Sequence, residues 1–294
     1  MTPAGAKDAT GRISHVSDTA RWVAVYRAME SARPDALFRD PYAARLAGPE
    51  GDAIVDRMPR GRQMAWAMIV RTQVFDEVIL DKVRNGGVDL VLNLAAGLDA
   101  RPWRLDLPAT LRWVDVDFPA MIAYKTNALA GETPRCRYEA VPADLTDAAT
   151  RSGVLARATA GATRVLVVAE GLLIYLSEGE VASLARDLAG VPAVRWWLID
   201  LASPRLLVWM NRSWSKRIMA GSATRFQFAP AAGTAFFGPF GWKEERFYSA
   251  GDEAKRLKRT MRGMWFWSLV AKLYPKRVRE QFRRFSGYVV LTRA

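Results

Sequence analysis

The sequence predicts an α/β fold in which a mostly parallel sheet carries helices on both faces. Apolar runs recur along the middle of the chain, at residues 88–94, 111–117, 136–142, 164–170 and 194–201. Helix-like segments fill the intervals, near residues 119–130, 146–160 and 178–189. Strands that alternate with helices are typical of parallel sheets, because each crossover helix packs on a face of the sheet. The run VLVVAEG at 165–171 is almost continuously apolar, as a strand buried on both faces requires.

Three helical segments precede the first strand. SDTARWVAVYRAMES, residues 17–31, begins after a capping residue, Ser17 or Asp18. A short helix follows Pro41 and is expected to end at Gly48, because proline favours the first turn and glycine the position after the last. RQMAWAMIVRTQVFDEVILDKVRNGG has apolar residues at helical spacing and should end at Gly86–Gly87.

Two further strands, GWKEERFYS and SGYVVLTRA, close the sequence on either side of a Trp-rich helical stretch. Five strands with crossovers followed by a terminal pair is the layout of a class I methyltransferase, a Rossmann-like sheet of seven strands. At 294 residues the chain is long enough for one such domain without a metal or disulfide. We therefore expect a single domain over 1–294.

Composition limits the function classes. The single cysteine, Cys136, cannot form an internal disulfide, and the N-terminus has no apolar segment typical of a signal peptide, so we expect a cytoplasmic protein. No run reaches the roughly 18 apolar residues of a membrane span. The net charge is +13, and residues 242–294 hold fourteen Lys or Arg against five Asp or Glu. Such a basic region can meet nucleic acid, anionic lipid or an acidic small molecule, or it can simply be solvated.

A small-residue turn follows the first predicted strand, in NLAAGLDARPWRL, residues 93–105. In an open α/β sheet, ligands bind beyond the carboxyl ends of the strands, where the strand order reverses. Only Gly97 in this turn is a glycine, so the turn differs from the GxGxxG of a dehydrogenase. We expect the backbone at Ala95 and Gly97 to approach a nucleotide-containing ligand.

Seven stretches in order resemble the leucine carboxyl methyltransferase superfamily. They are SDTARWVAVYRAMES, ALFRDPYAARLAG, VRTQVFDEVI, NLAAGLDARPWRL, VDVDFPAMIAYK, PADL and VVAEGLLIYLSEGEV. The similarity is greatest to the bacterial branch of S-adenosylmethionine-dependent O-methyltransferases, some of which are linked to polyketides. It implies a methyltransferase of secondary metabolism that uses S-adenosyl-L-methionine and no metal. One departure is Ala95, where the family usually has glycine.

The resemblance also implies a division of the chain. Residues 1–85 would form an N-terminal helical cap and 86–201 the cofactor-binding core. Residues 202–240 would form a cap insertion, and 241–294 the terminal strands with a basic helix.

The same resemblance assigns cofactor contacts. Asp117 would bind the ribose, although it could instead cap the helix that starts at Pro119. The Asp144 side chain would meet the adenine amino group and the Leu145 backbone a ring nitrogen, with helix capping as the alternative for Asp144. Glu170 would contact the methionine end of the cofactor.

Two arginines are candidates for the methionine carboxylate. Arg71 matches the family arginine that would bind it, since a guanidinium can make two parallel bonds to a carboxylate; a surface arginine is the alternative. Arg27 is the second candidate, on the N-terminal helix.

The acceptor side is aromatic. Twelve Trp, Phe and Tyr residues lie between 196 and 248, which favours a large apolar acceptor. Our candidates for its pocket are Tyr175, Trp209 and Phe237, with a packed core tyrosine as the alternative for Tyr175. No catalytic residue is assigned. The only histidine, His15, lies in a polar N-terminal stretch and is a poor candidate base.

The sequence therefore predicts an O-methyltransferase acting on a hydrophobic small molecule with a carboxylate or acidic hydroxyl. The alternatives are methylation of a protein C-terminus or a modified tRNA base, or a cofactor-binding or membrane-surface module without turnover. We expect a small-molecule acceptor, no metal and no nucleic-acid partner. A basic amphipathic segment with tryptophan can also lie on an anionic membrane, so residues 261–285 are a candidate for peripheral membrane contact; packing on the sheet is the alternative.

Overall fold

The computed structural model describes residues 16–58, 61–214, 226–261 and 274–294. Its centre is a seven-stranded sheet in the order β3-β2-β1-β4-β5-β7-β6. The strands are β1 (Leu90–Leu94), β2 (Arg112–Asp117), β3 (Arg137–Pro142), β4 (Val165–Ala169), β5 (Val194–Ala202), β6 (Trp242–Ser249) and β7 (Ser286–Arg293). The first five run parallel, and β7 pairs antiparallel with both β5 and β6. The predicted fold class is confirmed, and each predicted strand lies within three residues of its expected ends.

Helices cover both faces of the sheet and its carboxyl edge. In chain order they are α1 (Val16–Ser31), α2 (Ala43–Arg57), α3 (Ala65–Arg84), α4 (Arg101–Arg104), α5 (Pro119–Ala128), α6 (Ala148–Thr159), α7 (Glu178–Gly190), α8 (Pro204–Trp214), α9 (Ala250–Arg256) and α10 (Lys276–Arg283). Short 3₁₀ turns cover Gly61–Met64, Leu173–Tyr175 and Gly233–Phe240. The crossover helices α5, α6 and α7 match the intervals predicted for them.

The predicted end of the second helix at Gly48 is only partly right. Gly48 has left-handed backbone geometry (φ 62°), which breaks the helix there. The chain then resumes helical geometry at Pro49 and continues to Arg57, so a proline at a first helical position restarts the helix. The glycine in the sequence located the kink but did not predict the second half of the helix.

Three buried clusters hold these layers together. One face of the sheet packs Leu92, Val167 and Trp197 under α6 and α7, and the other packs Val91, Leu166 and Val290 under α3. The third cluster joins α1 and α2 through side chains such as Trp22 and Leu46. The N-terminal helices are therefore fixed over the carboxyl edge of the parallel strands.

None of the helices in the described ranges is long and apolar enough to cross a bilayer.

Candidate active site

A cavity of about 470 Å³ lies beyond the carboxyl ends of β1, β2, β4 and β5, under the N-terminal helices. The strand order reverses between β1 and β4, which is where ligands bind in open α/β sheets. Six of the eight predicted cofactor residues line it, namely Arg27, Arg71, Ala95, Gly97, Asp117 and Glu170. Asp144 and Leu145 line an adjoining smaller pocket, which shares Ala95, Asp117 and Phe118 with the large one. The structure thus brings all eight residues to one edge of the sheet; their individual contacts with a cofactor stay predictions.

The Asp117 carboxylate accepts two backbone hydrogen bonds, one of them from the turn after β1. The Gly97 N–H donates to Asp117 Oδ2 at 2.6 Å, and the Phe118 N–H donates to Oδ1 at 2.7 Å. Burial raises the pKa of Asp117, and the two N–H groups partly offset that effect. Helix α5 takes Phe118 as its N-terminal flanking residue, without a side-chain cap, so simple helix capping does not account for Asp117.

Ala95 and Gly97 both have positive φ, 51° and 49°. This left-handed geometry costs an L-residue roughly 1–2 kcal/mol and a glycine almost nothing. Ala95, where the family usually has glycine, therefore has a strained backbone conformation in this chain.

Asp144 is exposed and accepts from the Thr146 N–H and hydroxyl, at 2.9 and 2.7 Å. The cap of the following helix is instead Asp147, whose side chain accepts from the Thr150 N–H. The capping alternative for Asp144 was wrong.

The methionine end of the predicted site is a buried ion network. Glu170 accepts from Arg71 Nε at 2.9 Å and from Arg101 Nη1 at 2.7 Å. Arg71 Nη1 also donates to Asp200 Oδ2 at 3.1 Å, and the second Asp200 oxygen accepts from the Gly171 N–H at 2.6 Å. Burial alone would raise the pKa of Glu170, but Arg101 and Arg71 outweigh it and hold that pKa below its usual range. The surface alternative for Arg71 was wrong, because Arg71 is buried.

Asp99 and Asp76 extend this network behind the cavity. Arg101 donates to Asp76 through Nε and to Asp99 through Nη1, at 2.6 and 2.8 Å. Arg104 donates to both oxygens of Asp76. The arginines beside Asp99 lower its pKa well below the usual value against the opposing effect of burial. Buried charges persist where each has a partner, and these have several.

Arg27 lies at the cavity wall, where its guanidinium is already hydrogen-bonded to other protein groups. Its Nε donates to Asp40 at 2.8 Å and its Nη2 to the Leu98 carbonyl at 2.6 Å. Arg27 therefore ties α1 to the turn after β1, in addition to any contact with a cofactor.

The opposite end of the cavity is apolar. It is lined by aromatic, methionine and branched aliphatic side chains from α1, α3, α8 and the segments near them, namely Trp22, Met58, Met64, Trp66, Met68, Ile174, Tyr175, Leu206, Trp209, Met210, Phe226, Phe228 and Phe285. Tyr175 and Trp209 thus line the cavity, and their contact with an acceptor stays a prediction. Phe237 does not: it is fully buried against Trp197, Phe228 and Phe236 in the core beneath α7. The prediction for Phe237 was wrong, because aromatic composition does not distinguish a core side chain from a pocket side chain.

Sequence reasoning did not identify Asp200, Asp76 or Asp99 as parts of the ion network. A signal existed for Asp200, which is an acidic residue near the carboxyl end of a strand whose one other charged residue is Arg195, at its start. His15 lies outside the described residues.

Comparison with known proteins assigns the family. The model of the family described as "Leucine carboxyl methyltransferase" matches residues 20–189, more than half of the chain. The chain belongs to the leucine carboxyl methyltransferase family. A protein of Parafrankia sp. (strain EAN1pec) named "Putative S-adenosyl-L-methionine-dependent methyltransferase" is 40% identical over 60% of each chain. A protein of the same name from Mycobacterium marinum (strain ATCC BAA-535 / M) is 32% identical over 68% of this chain and 70% of that one.

Solved structures agree on the fold. A DUF574 family protein from Streptomyces avermitilis MA-4680 matches 97% of this chain and 99% of that one, with a TM-score of 0.59 and 14% identity. A "putative methyltransferase" from Thermobifida fusca YX matches 92% and 94%, with a TM-score of 0.51 and 15% identity. The predicted class I methyltransferase fold is confirmed, and membership of the leucine carboxyl methyltransferase family supports S-adenosyl-L-methionine as the cofactor. The aligned stretch spans only about 60% of the Parafrankia protein.

The cavity of this family member suits that cofactor by charge. Its lining side chains include three arginines and four carboxylates, a net charge of −1 when all are ionised: Arg27, Arg71, Arg101, Asp99, Asp117, Glu170 and Asp200. S-adenosyl-L-methionine carries a sulfonium, an ammonium and a carboxylate, which sum to +1. Buried charge is tolerated when it is balanced, so a lining with more carboxylates than arginines suits a cofactor of net positive charge. Among the described residues, no group of His, Cys, Asp or Glu is arranged to hold a metal ion.

Proposed function

We propose that this chain transfers a methyl group from S-adenosyl-L-methionine to an oxygen of a hydrophobic small molecule, and that this oxygen is ionised in solution, as a carboxylate or an acidified hydroxyl. The observation that carries the proposal is one cavity lined both by a buried ion network at the strand ends, which we call the charged end, and by apolar side chains mostly from the helices, which we call the apolar end, with every lining carboxylate already bonded. When bound, the cofactor supplies a methyl group on a positively charged sulfur.

The charged end would hold the methionine and ribose parts. Glu170 and Asp200 position Arg71. Nη1 and Nη2 each carry two N–H groups, so both could bond the methionine carboxylate while Nη1 keeps its bond to Asp200. Gly171, with φ 70°, leaves little room for a side chain beside this arginine, because an added Cβ would lie 3.2 Å from Arg71 Nη1. Asp117 would accept from the ribose hydroxyls next to its two backbone donors. Asp144 and Leu145 would take the adenine in the adjoining pocket.

The apolar end would select and align the acceptor. Its methionines adapt to irregular apolar shapes, and its aromatic rings supply large contact areas. Alignment of the nucleophile with the methyl group can lower the activation free energy by roughly 7–11 kcal/mol. The shape of the cavity would therefore supply most of the catalysis.

The lining groups offer no proton acceptor in the described part of the chain. Asp99, Glu170 and Asp200 are each bonded to an arginine, and Asp117 to two backbone N–H groups. Burial raises the pKa of Tyr26 to about 12, and it also raises those of Tyr175 and Tyr288, so these hydroxyls stay protonated at neutral pH. An acceptor that ionises by itself needs no base, which favours a carboxylate of pKa about 4 over a simple phenol of pKa about 10.

The test is product analysis. Purified protein would be incubated with methyl-labelled S-adenosyl-L-methionine and panels of apolar carboxylic acids, acidic phenols, peptides with free C-termini, and tRNA. We expect a labelled methyl ester or ether from the apolar acids or acidic phenols, the ester being released by alkali. Label on peptide or tRNA in place of these small molecules, or label on nitrogen or carbon, would contradict the proposal.

A further inference from the structure

Exposed apolar side chains are concentrated in one part of the described surface. The large ones are Val208, Trp209, Met261, Tyr274, Phe282 and Phe285, all between 38% and 54% exposed. They lie either on α8 or between residues 261 and 285. We call α8 together with residues 274–285 the rim. Single exposed apolar residues are ordinary, but a cluster of them marks an interaction surface.

The two halves of the rim meet at the mouth of the cavity. The Ser203 N–H donates to the Phe285 carbonyl at 3.0 Å, which joins the start of α8 to the end of the second half. Leu206, Trp209 and Phe285 line the cavity as well as the rim. A molecule that enters the apolar end from this side would pass between these residues.

The rim is also strongly basic. It contains seven cationic side chains against one acid, Glu280: Arg205, Arg212, Lys276, Arg277, Arg279, Arg283 and Arg284. Arg283 and Arg284 pair with Asp252 and Glu244 of the neighbouring elements. Arg277 and Arg279 are exposed on α10. The surface therefore combines apolar side chains at its tips with a net positive charge around them.

We propose that the rim docks on an anionic lipid bilayer. A surface that inserts apolar side chains to the headgroup boundary and surrounds them with arginine matches the bilayer in both polarity and charge. Aliphatic Val208 stands beside the aromatic residues of the rim, which suits an acyl boundary better than the stacking platforms that single-stranded nucleic acid requires. Docking in this orientation faces the cavity mouth toward the membrane, so an apolar acceptor could pass to the apolar end without crossing water.

The experiment is co-sedimentation with vesicles of phosphatidylcholine alone or with about one third phosphatidylserine. We expect at least about 10-fold tighter binding to the anionic vesicles. Each basic residue near such a surface contributes about 1 kcal/mol, so reversing two (Arg277→Glu with Arg279→Glu) should weaken binding by about 30-fold or more. Phe282→Ser should weaken binding by roughly 10-fold, because it removes an inserted aromatic side chain.

The matched control is Arg137→Glu with Arg157→Glu, which makes the same charge change at exposed positions on the β3 edge and α6. This control should keep most of the vesicle binding, and thermal unfolding should show that all variants are folded. Equal losses in the two double variants would reduce the effect to net charge and overturn the proposal. Binding to neither vesicle, or retention on RNA in preference to anionic vesicles, would overturn it as well. These outcomes are independent of methyl transfer, which is assayed with soluble acceptors.

Discussion

The two bonds of Asp117 allow its part in cofactor binding to be tested sharply. Its buried carboxylate accepts from the Gly97 N–H at 2.6 Å and the Phe118 N–H at 2.7 Å. In Asp117→Asn an amide oxygen can accept from one of these donors, whereas the amide NH₂ faces the other. The variant also loses the charged acceptor predicted for the ribose. A hydrogen bond to a charged group contributes about 1.5–3 kcal/mol, so affinity for S-adenosyl-L-methionine should fall roughly 10- to 150-fold.

Isothermal calorimetry on the folded variant measures this loss directly. The control is Asp106→Asn, which removes the same charge from an exposed aspartate that pairs with Arg84 at the surface. That control should bind the cofactor as the wild type does. Unchanged affinity in a folded Asp117→Asn protein would show that Asp117 only shapes the turn after β1.

Three further variants probe the charged end. Asp200→Asn keeps an acceptor for the Gly171 N–H but removes the negative charge beside Arg71. Calorimetry should therefore show about a 10-fold loss of affinity for S-adenosyl-L-methionine and a smaller loss of affinity for the product, which lacks the sulfonium charge. Equal losses of affinity would refute the charge-balance argument. Ala95→Gly removes left-handed strain of roughly 1–2 kcal/mol at an entropic cost of about 0.5–1 kcal/mol, so stability should rise by about 0.5–1 kcal/mol in thermal unfolding, and a lower Tm would contradict this. Glu170 has a folded-state pKa below its ordinary 4.5, so it contributes stability that is present above that value and lost as pH falls through the folded-state pKa. The free energy of unfolding, measured in urea from about pH 3 to 7, should therefore fall less on acidification in Glu170→Gln than in the wild type. Parallel curves for the two proteins would argue against the lowered pKa of Glu170.

The sheet was predictable because its signals are local. Apolar runs and the turns between them locate each strand within a few residues, and the crossover rule then gives the parallel order. The family resemblance placed Arg71 and Glu170 at the methionine end, but the bonds of the ion network were not predictable, because most of its members come together only in three dimensions. Arg71 and Asp200 are 129 positions apart, and Arg71 and Glu170 are 99 apart.

The lining of the acceptor pocket was also only partly predictable from the sequence. Trp209 and Phe237 come from one aromatic-rich region, yet Trp209 lines the cavity and Phe237 is buried in the core. Composition predicts that such a region packs somewhere, but the face that each ring presents depends on the path of the chain between β5 and β6.

The central claim is that the acceptor oxygen ionises without a base from the protein. The most direct measurement is the pH profile of kcat/KM on the acceptor found by product analysis. A carboxylate acceptor should give a nearly flat profile from about pH 6 to 9, and an acidified phenol a rise at its own solution pKa, in both the wild type and His15→Ala. A profile with a midpoint that differs from the acceptor's pKa, or a loss of about 100-fold in kcat for His15→Ala with cofactor affinity intact, would show that the protein supplies a general base and would contradict the account.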